Sequence, residues 1–150
     1  MRIPPPILLV VCLIAGWALD QRKGWLILPA TPWYAPRVAL SSALVLLGLA
    51  VIGYCAWQFK AAQTHIEPWR ATTSIVTAGP YRFSRNPIYL AFAITGAGVA
   101  FAFNTYWMLM SLLAFVLLAN KLVIEREEKY LEGKFGESYR SYRRETRRWL

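Results

Sequence analysis

Three clusters in this chain carry side chains able to do chemistry. The first reads GPYRFSRNPIY, residues 79–89. Two arginines, two prolines and a glycine in so short a stretch specify a shaped loop. Arg85 has the planar fork that holds a carboxylate by two parallel hydrogen bonds. Pro87 suits the first position of a helix. A plainer reading makes Arg82 and Arg85 a basic anchor at a membrane face. The second cluster is Gly96-Ala97-Gly98. With Ala93 and Ala100 it places small residues three and four apart, as close helix packing in membranes requires. The same missing side chains would admit a flat group such as adenine. The third is Glu125, Glu127 and Glu128, directly after an apolar run. Acids there run against the field of an anionic bilayer. Helical pairing is one account, Glu125 with Lys129 and Glu128 with Lys121 or neighbours of Lys134. The other is that the acids accept hydrogen bonds from a ribose diol and an ammonium group.

Together the clusters offer a cation for a carboxylate, acids for hydroxyls and an amine, and a small-residue slot. Those are the requirements of S-adenosylmethionine, the cofactor expected here. His65, the only histidine, reads as a solvated loop residue, or as a base if the acceptor is an amine or thiol. Cys12 and Cys55 lie in separate apolar runs and read as small hydrophobes. No spacing of metal ligands occurs, so no metal is expected.

The elements that must position these groups are apolar helices. The chain is 57% hydrophobic and only 17% charged, against about 25% charged in a soluble domain. Residues 38–59 carry no charge and as a helix would extend about 33 Å, enough for a hydrocarbon core of about 30 Å. Residues 88–120 are also uncharged, but one helix that long would reach about 50 Å. Asn104 near their middle marks a turn. The expectation is an all-α polytopic integral membrane protein of one domain, 1–150, with four transmembrane helices at about 3–19, 38–59, 88–103 and 105–122. A loop, 60–87, and a tail, 123–150, would share one face. The first run lacks a clear cleavage site, so it is expected to stay. In the tail, Gly133 or Gly136 separates two helices. Tyr139, Tyr142, Thr146 and Trp149 then form a less polar stripe beside basic residues, an amphipathic pattern suited to a membrane surface.

Four spans place both termini on one side. That side holds every basic residue of the 17 except Arg22, Lys23 and Arg37. Positive residues gather on the cytoplasmic side, so both termini are expected in the cytoplasm of an inner membrane. The net charge of +9 is thereby explained without nucleic acid. The bilayer is the expected partner. The small-residue face leaves a helix-packed dimer open.

The strings PWRATTSIVTAGPYRFSRNPIYL, GAG and EREEKYLEGKFGESYRSYRRETRRWL give a resemblance that spans nearly the whole chain and is densest after Pro68. The sequence resembles bacterial members of the isoprenylcysteine carboxyl methyltransferase and phospholipid methyltransferase superfamily. The resemblance implies an integral membrane enzyme using S-adenosylmethionine. It implies a cofactor loop of Arg85, Asn86, Pro87 and Tyr89, with Gly96, Gly98, Glu127 and Glu128 completing the cofactor site; Gly79 and Tyr81 of the same loop are further cofactor-binding candidates. Tyr139, Tyr142 and Arg148 match its C-terminal signature. Arg82, Arg143 and these three are the substrate-side candidates; Arg85, Glu128 and His65 are the catalytic ones. Asn86 stands where prenylcysteine enzymes usually have His. It cannot take up a proton near neutral pH, which counts against a simple transfer of that substrate.

The expected reaction is in-line methyl transfer to a lipophilic or membrane-associated acceptor: a prenylcysteine-like carboxylate, an aminolipid or a thiol. Two rivals remain. An NADPH-dependent membrane reductase would need a further phosphate-binding site, which the sequence does not display. A small transporter or adaptor would need an acid buried within a span or would tolerate loss of Arg85, Glu127 and Glu128.

Overall fold

The computed structural model describes residues 4–22, 24–29, 33–62 and 74–150. His65 lies outside them. Among the described residues the chain is helical, without strands.

Several helix ends follow from local chemistry. Helix α1, Pro5–Asp20, opens on prolines, whose fixed φ suits a first turn. Helix α2 is Tyr34–Ala61. A single 3-10 turn, Gly79–Arg82, precedes α3, Pro87–Phe103, which starts at Pro87 with Asn86 as its N-cap. Asn104 ends α3 in the left-handed region, φ 57°, and Thr105 caps the next helix by accepting from the Trp107 amide at 3.2 Å. The expected turn is therefore at Asn104. Helix α4, Tyr106–Ala119, passes through a π turn, Asn120–Ile124, straight into α5, Glu125–Phe135. Gly136, at φ 53°, makes the break before α6, Glu137–Glu145. Gly133 is helical, so of the two glycines Gly136 separates the helices.

Helix α6 stops at Glu145. Thr146 and Trp149 thus belong to a non-helical segment rather than to a helical stripe, a correction to the expected tail. Two continuous helices, Tyr34–Ala61 and Tyr106–Phe135, are long and apolar enough to cross a membrane. Pro5–Asp20 and Pro87–Phe103 are equally apolar but shorter.

Helix α2 lies along α3, α1 lies along α4, and α3 and α4 form a hairpin. A core of Leu8, Leu9, Cys12, Tyr89, Phe115, Ala119, Val123 and Ile124 joins α1, α3 and the α4–α5 rod, and Trp149 packs against it. Outward faces are apolar too: Val10, Ile14, Leu46, Leu47, Leu113 and Leu117 are exposed. Apolar surface on that scale calls for a hydrocarbon surround. At the hairpin end, Arg37 Nη1 donates to the carbonyls of Phe101 and Ala102, a cation closing the C-terminus of α3. The Asn104 side chain bonds the Leu28 amide and carbonyl at 3.0 and 2.8 Å.

Close approach of α2 and α3 depends on absent side chains. A Cβ on Gly98 would stand 2.8 Å from the Ser41 carbonyl oxygen, and Ser41 Oγ donates to the Gly98 carbonyl at 3.0 Å. Gly98→Val is expected to cost about 1–3 kcal/mol by overpacking. Gly133, with nothing near its added Cβ, is the counterpart. Gly133→Ala is expected to raise stability by about 0.5–1 kcal/mol. Thermal unfolding in detergent checks both; equal effects of the two substitutions would contradict the packing account.

Candidate functional site

At the end of the bundle opposite the hairpin lies a cavity of about 290 Å³. Its walls come from Pro5 and Pro6 of α1, Ile52 and Phe59 of α2, and Ile88 and Phe92 of α3. Its polar end is built by Arg85, Asn86, Tyr89, Glu127 and Glu128, with Tyr81, Tyr139 and Tyr142. A mostly apolar hollow with a few convergent polar groups is the usual form of a small-molecule site.

Glu128 organises the polar end. It is 7% exposed. Arg148 grips it with both edges of the carboxylate: Nε to Oε1 at 3.1 Å and Nη2 to Oε2 at 2.6 Å. Arg85 Nη2 stands 3.4 Å from Oε1. Glu128 therefore pairs across the fold, not with Lys121 or another helical neighbour as the spacing led us to expect. Glu125 pairs with Lys121 at 3.3 Å rather than with Lys129. The bond to Glu128 holds the Arg148 guanidinium still more firmly charged. Glu127 accepts from the Tyr89 hydroxyl at 2.9 Å, which ties α5 to the first turn of α3.

The C-terminal residues complete this end by lying against the loop. The Arg85 amide donates to the Arg147 carbonyl at 2.9 Å. The Arg148 carbonyl accepts from Asn86 Nδ2 at 3.0 Å and from Ser84 Oγ at 3.3 Å. Asn86 thus spends its amide on the backbone of this strap. Ser84 also accepts from the Asn86 amide at 3.1 Å. That local turn orients the residues just before α3.

Arg85 is left partly unsatisfied. Its Nε and Nη1 are buried and have no hydrogen-bond partner among the described residues. A buried donor without a partner costs about 1–3 kcal/mol, more when charged. Unsatisfied guanidinium donors, in a residue lining the cavity, fit an anionic group such as a carboxylate.

The remaining candidates fall into two groups. Tyr139 is buried, and the Tyr142 hydroxyl donates to the Tyr81 carbonyl at 2.7 Å. Both tyrosines line the cavity, so that face of α6 turns toward the protein. Away from the lining, Gly96 faces Leu112 and Leu9, and Gly98 faces Ser41 and Val45. Gly79, at φ 58°, packs on the Gln58 side chain. Pro87 starts α3. Arg82 is exposed beside Phe83, and Arg143 pairs with Glu132 at 3.2 Å on the surface. Arg148 bonds Glu128 and does not line the cavity. Ser84, Asn120 and the apolar walls are not among the residues that motif and spacing single out. Only Ser84 had a visible signal, a hydroxyl two residues before the N-cap Asn86.

With this geometry in view the relatives are informative. The profile of the phospholipid methyltransferase family matches residues 36–138, and the chain belongs to that family. An uncharacterised protein of Haemophilus influenzae (strain ATCC 51907 / DSM 11121 / KW20 / Rd) is 49% identical over 41 residues, 27% of this chain. The match spans 65% of that protein's length. No solved structure matches the chain.

Burial raises the phenol pKa of Tyr139, Glu128 adding to it and Arg85 opposing. Burial likewise raises Tyr142, with Tyr139 adding and Arg85 opposing. A raised folded-state value means the folded form keeps its proton longer than the unfolded one. The stability this contributes is complete below pH 10, the ordinary phenol value, and falls as pH rises past it. The tyrosinate absorbance missing from Tyr142→Phe is expected above pH 10 in folded protein and near 10 after unfolding. A folded-state titration at or below 10 would contradict this environment.

Proposed function

We propose that the chain is an integral membrane methyltransferase. It uses S-adenosylmethionine and acts on a lipophilic acceptor in the cavity between α1, α2, α3 and α5. The four apolar helices cross or enter an inner membrane, with the cavity end and both termini on the cytoplasmic side. The observation that carries the reading is the pair of unsatisfied donors on Arg85, a residue at the polar end of an otherwise apolar hollow, in a member of the phospholipid methyltransferase family.

When bound, S-adenosylmethionine supplies a methyl group on an already activated sulfonium. The protein's task is then alignment, which can lower a barrier by about 7–11 kcal/mol. Arg85 offers a carboxylate a hydrogen bond from Nε or from Nη1, which lie on different edges of its guanidinium. Glu127 and Glu128 offer acceptor oxygens to hydroxyl and ammonium groups while keeping their own partners. Ile52, Phe59, Ile88 and Phe92 hold an apolar acceptor and keep water from the transferring group. A carboxylate acceptor needs no base. An amine must lose a proton, and a carboxylate of the site or His65 would have to take it.

Calorimetry with S-adenosylmethionine and its demethylated product, on the full chain in detergent, tests the reading. Saturable binding is expected for the natural chain and for Gly133→Ala, with loss in Arg85→Ala. Absence of binding at millimolar cofactor by folded protein would overturn it.

A further inference from the structure

One polar residue touches the acid clamp without lining the cavity. Asn120 opens the π turn, Asn120–Ile124, and its Oδ1 accepts from Arg148 Nη1 at 3.3 Å. This is the same guanidinium whose Nε and Nη2 hold Glu128. The three nitrogens of Arg148 therefore meet two residues of one continuous helical rod, one opening the π turn and one beyond it.

The π turn makes that meeting geometrically available. It inserts one residue into the helix, and each residue of an α-helix advances the face by about 100°. Everything from Glu125 onward is rotated by about that amount relative to an unbroken continuation of α4. Asn120 and Glu128 then face the same arginine. Both side chains lean toward the N-terminus of the rod, and Glu128, the longer, reaches farther back than Asn120 does. Arg148 in turn carries the carbonyl that receives Asn86 and Ser84. Asn120 is thus linked through the Arg148 guanidinium to Glu128, and through the Arg148 carbonyl to the loop that bears Arg85.

We propose that Asn120 is a positioning residue for the cofactor end of the site. It holds the Arg148 fork in the plane that grips Glu128, and Glu128 with the strap fixes Arg85. Asn120 touches no ligand itself. In an unbroken helix Asn120 and Glu128 would stand about 80° apart around the axis; the π turn brings them to within about 20°. This inference rests on the cofactor reading above.

The test measures binding of S-adenosylhomocysteine by calorimetry to the full chain in detergent, with a thermal melt of each variant. Asn120→Ala is expected to weaken binding about tenfold, about 1.4 kcal/mol. Asn120→Asp keeps an acceptor for Arg148 and is expected to stay within about threefold of the natural chain. Arg148→Lys loses the fork. If Asn120 acts through that fork alone, adding Asn120→Ala to Arg148→Lys weakens binding by less than about twofold more. Asn120→Ser replaces Asn120→Ala should the latter not fold. Unchanged affinity in folded Asn120→Ala would overturn the proposal. So would a full additional loss on Arg148→Lys, or an Asn120→Asp variant as weak as Asn120→Ala. Failure of the natural chain to bind would be distinguishable, because it removes the cofactor reading itself and this proposal with it.

Discussion

A buried carboxylate sets the terms for this structure. Glu128 sits at 7% exposure with two arginines, one from the loop before α3 and one from the last residues of the chain. A charge taken out of water costs several kcal/mol unless it is paired and hydrogen-bonded. Glu128 meets that condition only when three distant segments converge: α5, the 84–86 loop and the 146–149 strap. Removing one partner of a fully buried pair costs about 3–5 kcal/mol. The Arg148 side chain is 33% exposed, so its share here is smaller. The interaction therefore does less to hold the helices together than to decide where the loop and strap lie.

The helices have their own determinants. Small residues let α2 and α3 approach, and Trp149 adds an aromatic side chain to the core that unites α1 with the α4–α5 rod. The hairpin end is closed by backbone hydrogen bonds, with Arg37 on the α3 carbonyls and Asn104 on Leu28. Arg37 Nη1 is spent on capping there, while Arg37 Nε is buried without a hydrogen-bond partner among the described residues. The opposite end carries the buried ion cluster and an arginine with unsatisfied donors. The apolar cavity meets only the second of these ends.

Local signals made much of the fold legible. Pro87 marks a helix start and Asn104 a turn because one residue's backbone preference decides each. The choice between Gly133 and Gly136 could not be made from sequence, since both glycines tolerate a break and only one has positive φ. The acid cluster was visible, but its partners were not. Helical spacing offers Glu128 neighbours three or four residues away, whereas Arg148 lies twenty away and reaches it through a chain reversal at Gly136. The π turn had no sequence signature at all. Gly96 and Gly98 show the converse: a motif read for a cofactor slot also satisfied helix packing, and the structure places both glycines in packing contacts. His65 lies outside the described residues.

The claim on which the rest depends is that Glu128 fastens the strap to the loop. Hydrogen exchange of the backbone amides reads this directly, because the Arg85 amide is bonded to the Arg147 carbonyl. In the natural chain, slow exchange at Arg85 and Asn86 is expected. In Glu128→Ala the same amides should exchange quickly while those of α2 and α3 stay protected. Fast exchange at Arg85 in the natural chain, or unchanged protection in Glu128→Ala, would contradict the account.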